Sequence, residues 1–518
     1  MADLKLLTAR TLKWNAIDRV SSQILYALVG IVLANILSQE EFGLVGALAI
    51  FQAFATIFVD SGFGAALLRE KEPTDDDYST VFWFNTAVSL AIYALLFLSA
   101  PLIADLFQHQ ESLIPMSKVM FLTFVINGLA IVQTNRLMKQ MNVRLIAISN
   151  SLALIIAGII GVTLALLDFG AWAMVWYAVA QASVKTIILW ATSSWHPQLR
   201  FSLQSLRKIR AVGFSVFSSA LLNTISLNIY NFVIGVWYNL SSLGIYTQAD
   251  KWSKMGSASI SQILTSSFVP LLSKVQDSAA DFRRYLDRAG RFTAFILMPA
   301  MIMLTIMASP IFHLLFANKW DAAIPLFQLL TLRGIFIVLI SLYSNYLLSL
   351  GRARALFISE AIKDSLILAA ILSTAWTADL DILIAGQCLA SLLTWGLLLH
   401  ITARNTSTSI STHLRHLLPF LSAATLSAIA AIAATILLAY ATAPLLADTL
   451  PTSSPALALL SYNHPQPTDT PLRLTINLLT LLTQSTAFLA TYLLILKRLK
   501  APELTESLTY LLGRFRKK

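Results

Sequence analysis

The chain has 518 residues, 57% of them hydrophobic and only 12% charged, and its mean hydropathy is +0.71. Soluble domains carry about twice that share of charge, ~25%, so a soluble globular enzyme, a disordered chain and a disulfide scaffold are excluded. A formal charge of +11 would suggest nucleic acid in a soluble protein; here it must first be weighed against the preference of basic residues for the cytoplasmic side of a membrane.

A membrane-spanning helix needs ~20 mostly apolar residues. The apolar runs divide the chain into fourteen such spans: 14–38, 43–68, 79–101, 114–135, 145–167, 171–194, 212–237, 244–271, 292–317, 324–350, 355–376, 382–403, 417–446 and 472–496. The expected fold is all-α, a polytopic membrane protein of about 14 transmembrane helices. Met1–Trp14 is polar and basic, and the apolar run behind it is too long for a cleaved signal core, so it reads as a retained first span. The connections that would share one side hold 28 of the 37 Lys and Arg; the opposite ones hold Lys118, Lys319 and Arg473. This split predicts cytoplasmic termini. It also assigns most of the positive charge to membrane lipids and removes the argument for nucleic acid.

Three features outside the spans need separate readings. The outer connection Ala447–Pro471 is rich in Pro, Ser and Thr and too short for a catalytic domain, and its His464 has no companion for a metal site. The tail from Pro502 to Lys518 places Leu504, Leu508, Leu511, Leu512 and Phe515 on one side of a short helix beside basic residues, and is expected to rest on the inner leaflet. Cys388, the single cysteine, reads as a small buried apolar residue.

Two parts of the chain repeat about 200 residues apart. Phe42-Gly43-Leu44 opens span 2 and Leu243-Gly244-Ile245 opens span 8, while the segment Pro101–Phe107 matches Pro310–Phe316. Spans 1–6 and 7–12 therefore look like two copies of one bundle in the same orientation. The expected organisation is two pseudo-symmetric six-helix lobes, 1–200 and 201–403, then residues 404–497 with two extra C-terminal helices and the outer loop, then a basic cytoplasmic tail, 498–518.

An ionisable side chain inside a span costs at least ~2.5 kcal/mol and is a functional candidate by default. Candidates are Asp18 and Arg19 in span 1, Asp60 in span 2, Lys185 in span 6, Asp250, Lys251 and Lys254 in span 8, Arg333 in span 10, and Glu360, Lys363 and Asp364 in span 11. Arg333 lies nine residues into an otherwise uncharged run. Arg19 sits beside the polar face of Ser21, Ser22 and Gln23. Asp250 is spaced to pair with Lys254, and Lys363 with Glu360, so local neutralisation competes with a functional role. Asp60 opens Asp60-Ser-Gly-Phe-Gly64, which suits a helix break or ion coupling equally. Six basic against five acidic residues make any cleft mildly cationic, which suits an anionic cargo. Trp172, Trp176, Tyr177, Tyr230, Tyr343 and Tyr346 could stack on sugars, although interfacial belts and packing explain most span aromatics.

Several stretches resemble one family. They are Trp14–Gln23, Leu33–Ser38 with Glu41-Phe-Gly-Leu44, Asp60–Arg69 and Leu243–Ala249. They are similar to the lipopolysaccharide-biosynthesis oligosaccharide flippases of the multidrug/oligosaccharidyl-lipid/polysaccharide exporter superfamily, over about residues 10–400; the last two helices match less clearly. The resemblance implies a V-shaped cleft and flipping of a polyprenyl-diphosphate-linked oligosaccharide to the periplasmic leaflet of the bacterial inner membrane. It places the diphosphate on inward-facing basic residues, here Arg19, Lys185, Lys251 and Arg333, with Lys363 a further substrate-binding candidate. Asp60, Asp250, Glu360 and Asp364 are candidates for coupling or helix breaks. No catalytic residue, cofactor or metal is expected; association with a polysaccharide polymerase and glycosyltransferases is. The competing readings are a multidrug or small-solute antiporter of the same fold and a membrane glycan polymerase or ligase, the latter lacking paired acid/base groups on the outer side.

Overall fold

The computed structural model describes residues 2–60, 63–274, 278–377, 379–406, 408–446 and 470–505. The Asp60 side chain, His464 with most of its loop, and the tail beyond Thr505 lie outside the described residues. The regular elements are helices: α1 (Ala2–Ile36), α2 (Gln39–Asp60), α3 (Phe63–Arg69), α4 (Asp75–Leu98), α5 (Ala100–Leu106), α6 (Leu113–Met120), α7 (Leu122–Lys139), α8 (Val143–Leu166), α9 (Trp172–Thr192), α10 (Leu203–Trp237), α11 (Leu240–Lys274), α12 (Ala279–Ile306), α13 (Ala308–Phe316), α14 (Ala323–Ser349), α15 (Ala353–Thr374), α16 (Leu380–Thr406), α17 (Ile410–Leu446) and α18 (Thr470–Arg498). Each of the fourteen expected spans falls on one helix or on two separated by a short break. Eleven stretches among the described residues are long and apolar enough to cross a membrane; α10, α11 and α15 are not among them. The charges Asp250, Lys251 and Lys254 on α11, and Glu360, Lys363 and Asp364 on α15, interrupt the apolar runs there.

The breaks follow from local chemistry. Thr74 caps α4 with a reciprocal pair of bonds, its hydroxyl accepting from Asp77 N–H while the Asp77 carboxylate accepts from Thr74 N–H. At the far end of α4, Ser99 turns the chain and Pro101 enters the first turn of α5, where its missing N–H leaves no bond unmade. The matching segment further along is arranged alike, with α12 ending at Ile306 and the short α13 carrying Pro310 near its start. Phe107 and Phe316, which close the two matching motifs, are both fully buried.

The chain forms two compact units, Met1–Thr247 and Gln248–Lys518. In the first, α8 packs between α1 and α9, while α10 lies against α2 and α3. Four pairs fix the register of α1 on α8: Thr11 with Met141, Asp18 with Asn150, Ser21 with Ser151, and Val29 with Gly158. Their separation stays near 130 residues, so the two helices run parallel, as two odd-numbered spans must. Further along the unit, the repeat glycines meet. A Cβ on Gly43 would overlap the Leu240 carbonyl, and a Cβ on Gly244 would overlap the Gln39 carbonyl. Position 43 thus faces 240 while 244 faces 39, a reciprocal contact in which each residue maps onto its counterpart by the same shift along the chain.

In the second unit, α12 packs on α14 and α17, α14 and α15 on α16, and α17 on α18. Met298, Met301, Phe420, Phe488 and Tyr492 form its main apolar core. Large apolar side chains are nonetheless exposed along many helices, among them Leu98, Leu102 and Leu437 at 77%, 69% and 70%. So much exposed apolar surface is an aggregation hazard in water and the normal lipid-facing surface of a membrane protein.

Candidate functional site

The first unit contains a cavity of about 340 Å³ between α1, α8 and α9. Ser22, Gln23 and Tyr26 line it from α1, Asn150, Ala153 and Leu154 from α8, and Gln181 and Lys185 from α9. Spacings of three and four residues place these groups on one face of each helix. Asp18 lies one turn before Ser22. Its carboxylate accepts from Asn150 Nδ2, 3.3 Å from both oxygens, and from Ser22 Oγ at 3.4 Å. Asp18 is also within electrostatic reach of Lys185. An ammonium, three carboxamide side chains and hydroxyls therefore surround one volume, with a carboxylate held at its margin by α1 and α8. Such a lining can hold an anion by charge and hydrogen bonds.

The other sequence candidates lie elsewhere. Arg19, next to Asp18, is exposed and does not line this cavity. The remaining described candidates are in the second unit. Asp250 pairs with Lys254 at 2.5 Å along α11, and Lys251 stands over the Trp252 ring, 5.2 Å from its centroid. Trp252 Nε1 donates to Gln248 Oε1 at 3.1 Å, and its ring also meets Phe316. Arg333 reaches from α14 to α16, where its Nε donates to Ser391 Oγ at 3.2 Å. Cys388 shares that interface, its thiol donating to the Leu329 carbonyl at 3.2 Å. Lys363 is in close contact with Glu360 and lies 3.9 Å from Asp364, so its charge is met by its own helix.

Sequence reasoning weighted charged side chains and passed over Asn150, Gln181 and Tyr26. The available signal was polar side chains inside apolar runs, two of them carboxamides. Among the described residues, no group of three or more His, Cys, Asp or Glu is placed to hold a metal ion.

The profile of a family described as polysaccharide biosynthesis protein matches residues 32–325. The teichuronic acid biosynthesis protein TuaB of Bacillus subtilis (strain 168) is 27% identical over 354 residues, 67% of this chain and 72% of that protein. The succinoglycan biosynthesis transport protein ExoT of Rhizobium meliloti (strain 1021) is 26% identical over 348 residues, 67% of this chain and 70% of that protein. The lipopolysaccharide biosynthesis protein WzxC of Escherichia coli (strain K12) is 23% identical over 329 residues, 62% and 66% of the two chains. Among solved structures, the lipid II flippase MurJ in an inward closed conformation superimposes with a TM-score of 0.66 at 16% identity, covering 91% of this chain and 98% of that one. An inward-facing multidrug resistance MATE family transporter superimposes with a TM-score of 0.57 at 16% identity, covering 75% and 96%. These two likenesses establish the fold alone.

Proposed function

Since the chain belongs to the polysaccharide biosynthesis protein family, we propose that it is a flippase for a polyprenyl-diphosphate-linked oligosaccharide, moving it from the cytoplasmic to the periplasmic leaflet of a bacterial inner membrane. A diphosphate and a string of hydroxyl-rich sugars cannot cross hydrocarbon unaided, because their hydration would be lost without replacement. The protein supplies that replacement. Lys185 meets the phosphate charge, and Asn150, Gln181 and Ser22 supply hydrogen bonds, while the polyprenyl chain remains in lipid. Arg19 and Arg333 are further cations on the path. Lys251 and Lys363 are secondary, since Trp252 and the carboxylates beside Lys363 already engage them. Asp60, Asp250, Glu360 and Asp364 remain the coupling candidates. The two repeated halves give alternating access to the two sides, the termini are cytoplasmic, and the glycan feeds surface polysaccharide assembly, where polymerase and glycosyltransferases are the expected partners.

The observation that carries this reading is the cavity around Lys185. Its carboxamide and hydroxyl lining suits a phosphate and sugar better than the lipophilic cations of a multidrug antiporter, which shares the fold. The test is a leaflet assay for lipid-linked oligosaccharide in a deletion strain complemented by wild type, Lys185→Ala or Arg333→Ala at equal expression. Lys185→Ala should leave the oligosaccharide in the inner leaflet and lower surface glycan at least tenfold. Wild-type surface glycan in both variants would remove these cations from the mechanism, and normal leaflet distribution in the deletion strain would refute the flippase reading itself.

A further inference from the structure

A second cavity, about 400 Å³, opens where the start of α1 meets the turn between α7 and α8. Thr11, Trp14, Gln140, Asn142 and Arg144 are in its wall. The Arg144 guanidinium lies over the Trp14 ring, 5.5 Å from the centroid. Thr11 Oγ1 donates to the Met141 carbonyl at 3.4 Å, tying α1 to the turn, and Met141 holds a positive φ of 55° there.

We propose that this cavity binds the phosphate headgroup of a lipid at the cytoplasmic face of the membrane. Four observations combine. Among the described residues no carboxylate pairs with Arg144, in contrast to Lys254, Lys363 and Arg291. A guanidinium over an aromatic face still presents its planar donor fork, the geometry that recognises phosphate oxygens. Gln140, Asn142 and Thr11 add side chains able to hydrogen-bond ester oxygens and glycerol or sugar hydroxyls. Finally, the cavity lies at the positive end of the 24-residue helix α8, where the helix dipole favours an anion. Its level in the membrane agrees, because Trp14 and Arg144 stand in the first turns of two parallel spans, Lys13–Ile36 and Val143–Leu166. Indole rings and lipid phosphates share that interfacial level.

The position along the α1–α8 seam gives the site a place in transport. Trp14 precedes Ser22 by eight residues and Asn142 precedes Asn150 by eight, about 12 Å along each helix. A phosphate leaving Arg144 therefore meets the Lys185 cavity two turns further along the same seam. That role rests on the flippase reading; occupancy by a lipid phosphate does not.

Two lipids offer this chemistry, a bilayer phospholipid and the polyprenyl carrier, and binding to purified full-length protein separates them. Native mass spectrometry would be run with phosphatidylglycerol and with undecaprenyl diphosphate as probes, on wild type, Arg144→Gln, Arg144→Lys and Trp14→Leu, each with a matched thermal melt. The expected result is at least a fivefold loss of bound lipid in Arg144→Gln and Trp14→Leu, with Arg144→Lys in between. Loss confined to phosphatidylglycerol identifies a structural lipid site, and loss confined to undecaprenyl diphosphate identifies a carrier dock. Wild-type occupancy by both probes in variants that melt normally overturns the proposal. Because no transport is measured, this outcome is independent of the leaflet assay.

Discussion

Asp18 and Arg19 are neighbours in sequence and about 100° apart around their helix, and that angle separates their fates. Asp18 turns to α8, where Asn150 donates to it, as does Ser22 from its own helix, while Arg19 is exposed. The sequence made the polar face of span 1 legible, because Ser22 and Gln23 do line the cavity. It did not show which charge belongs to that face, since the choice depends on a carboxamide 132 residues away. The pairing can be tested by a double-mutant cycle in the leaflet assay. Asp18→Asn and Lys185→Gln should each reduce flipping, and the double variant should lose less than the product of the two, because removing both charges leaves no unbalanced one. Strict multiplicativity would show that the two act separately. At the repeat glycines, Gly43→Ala should destabilise the fold by about 1–3 kcal/mol, as overpacking against a backbone carbonyl does. Gly396→Ala, with nothing within 4 Å of the added carbon, should be neutral or stabilising by up to ~1 kcal/mol. Thermal melts of the two variants in one detergent make the comparison.

At the scale of elements, the hydrophobic period located helices well and their interruptions poorly. Spans 114–135 and 292–317 read as continuous because apolar composition carries across a short break. The structure divides each into two helices. The Pro101 and Pro310 motifs were the usable clue, since each proline marks a short helix, α5 and α13, that follows a break. Other ties link elements too distant in sequence to be anticipated. The segment after α18 is one. Glu503 is buried and accepts from Arg291 on α12 through two bonds, Nε–Oε1 at 2.6 Å and Nη2–Oε2 at 3.2 Å. Nearby, Tyr492 on α18 donates to the Phe295 carbonyl of α12 at 3.0 Å. A forked ion pair of this kind is worth more than a surface one, though the Arg291 side chain is 36% exposed and solvent screens it. Glu503→Gln should therefore cost about 1 kcal/mol and expose the segment after Arg498 to trypsin sooner than in wild type. An unchanged melt and digestion rate would show that the tie contributes nothing.

For the whole molecule, composition settled the membrane class and the family motifs settled the kinship, while the number of crossings is less evenly supported. Eleven stretches meet a length and hydropathy test, and the helices that fall outside it include those carrying the candidate charges of spans 8 and 11. A transporter needs polar groups where a simple anchor needs none, so function itself weakens the signal that counts its spans. Orientation can be settled chemically. With Cys388 replaced by serine, His109→Cys should react with an impermeant maleimide on intact spheroplasts, and Arg352→Cys only after permeabilisation. The reverse pattern would invert the topology drawn from the basic residues.

The meeting of Gly43 with Leu240, and of Gly244 with Gln39, has a mechanical corollary. Backbone touches backbone there with no room for a side chain at either glycine, and Ser241 Oγ donates to Gln39 Oε1 at 3.2 Å beside the contact. The joint fits like two identical studs, each seated against the other's backbone, and a bulky side chain on either stud should keep the other from seating as well.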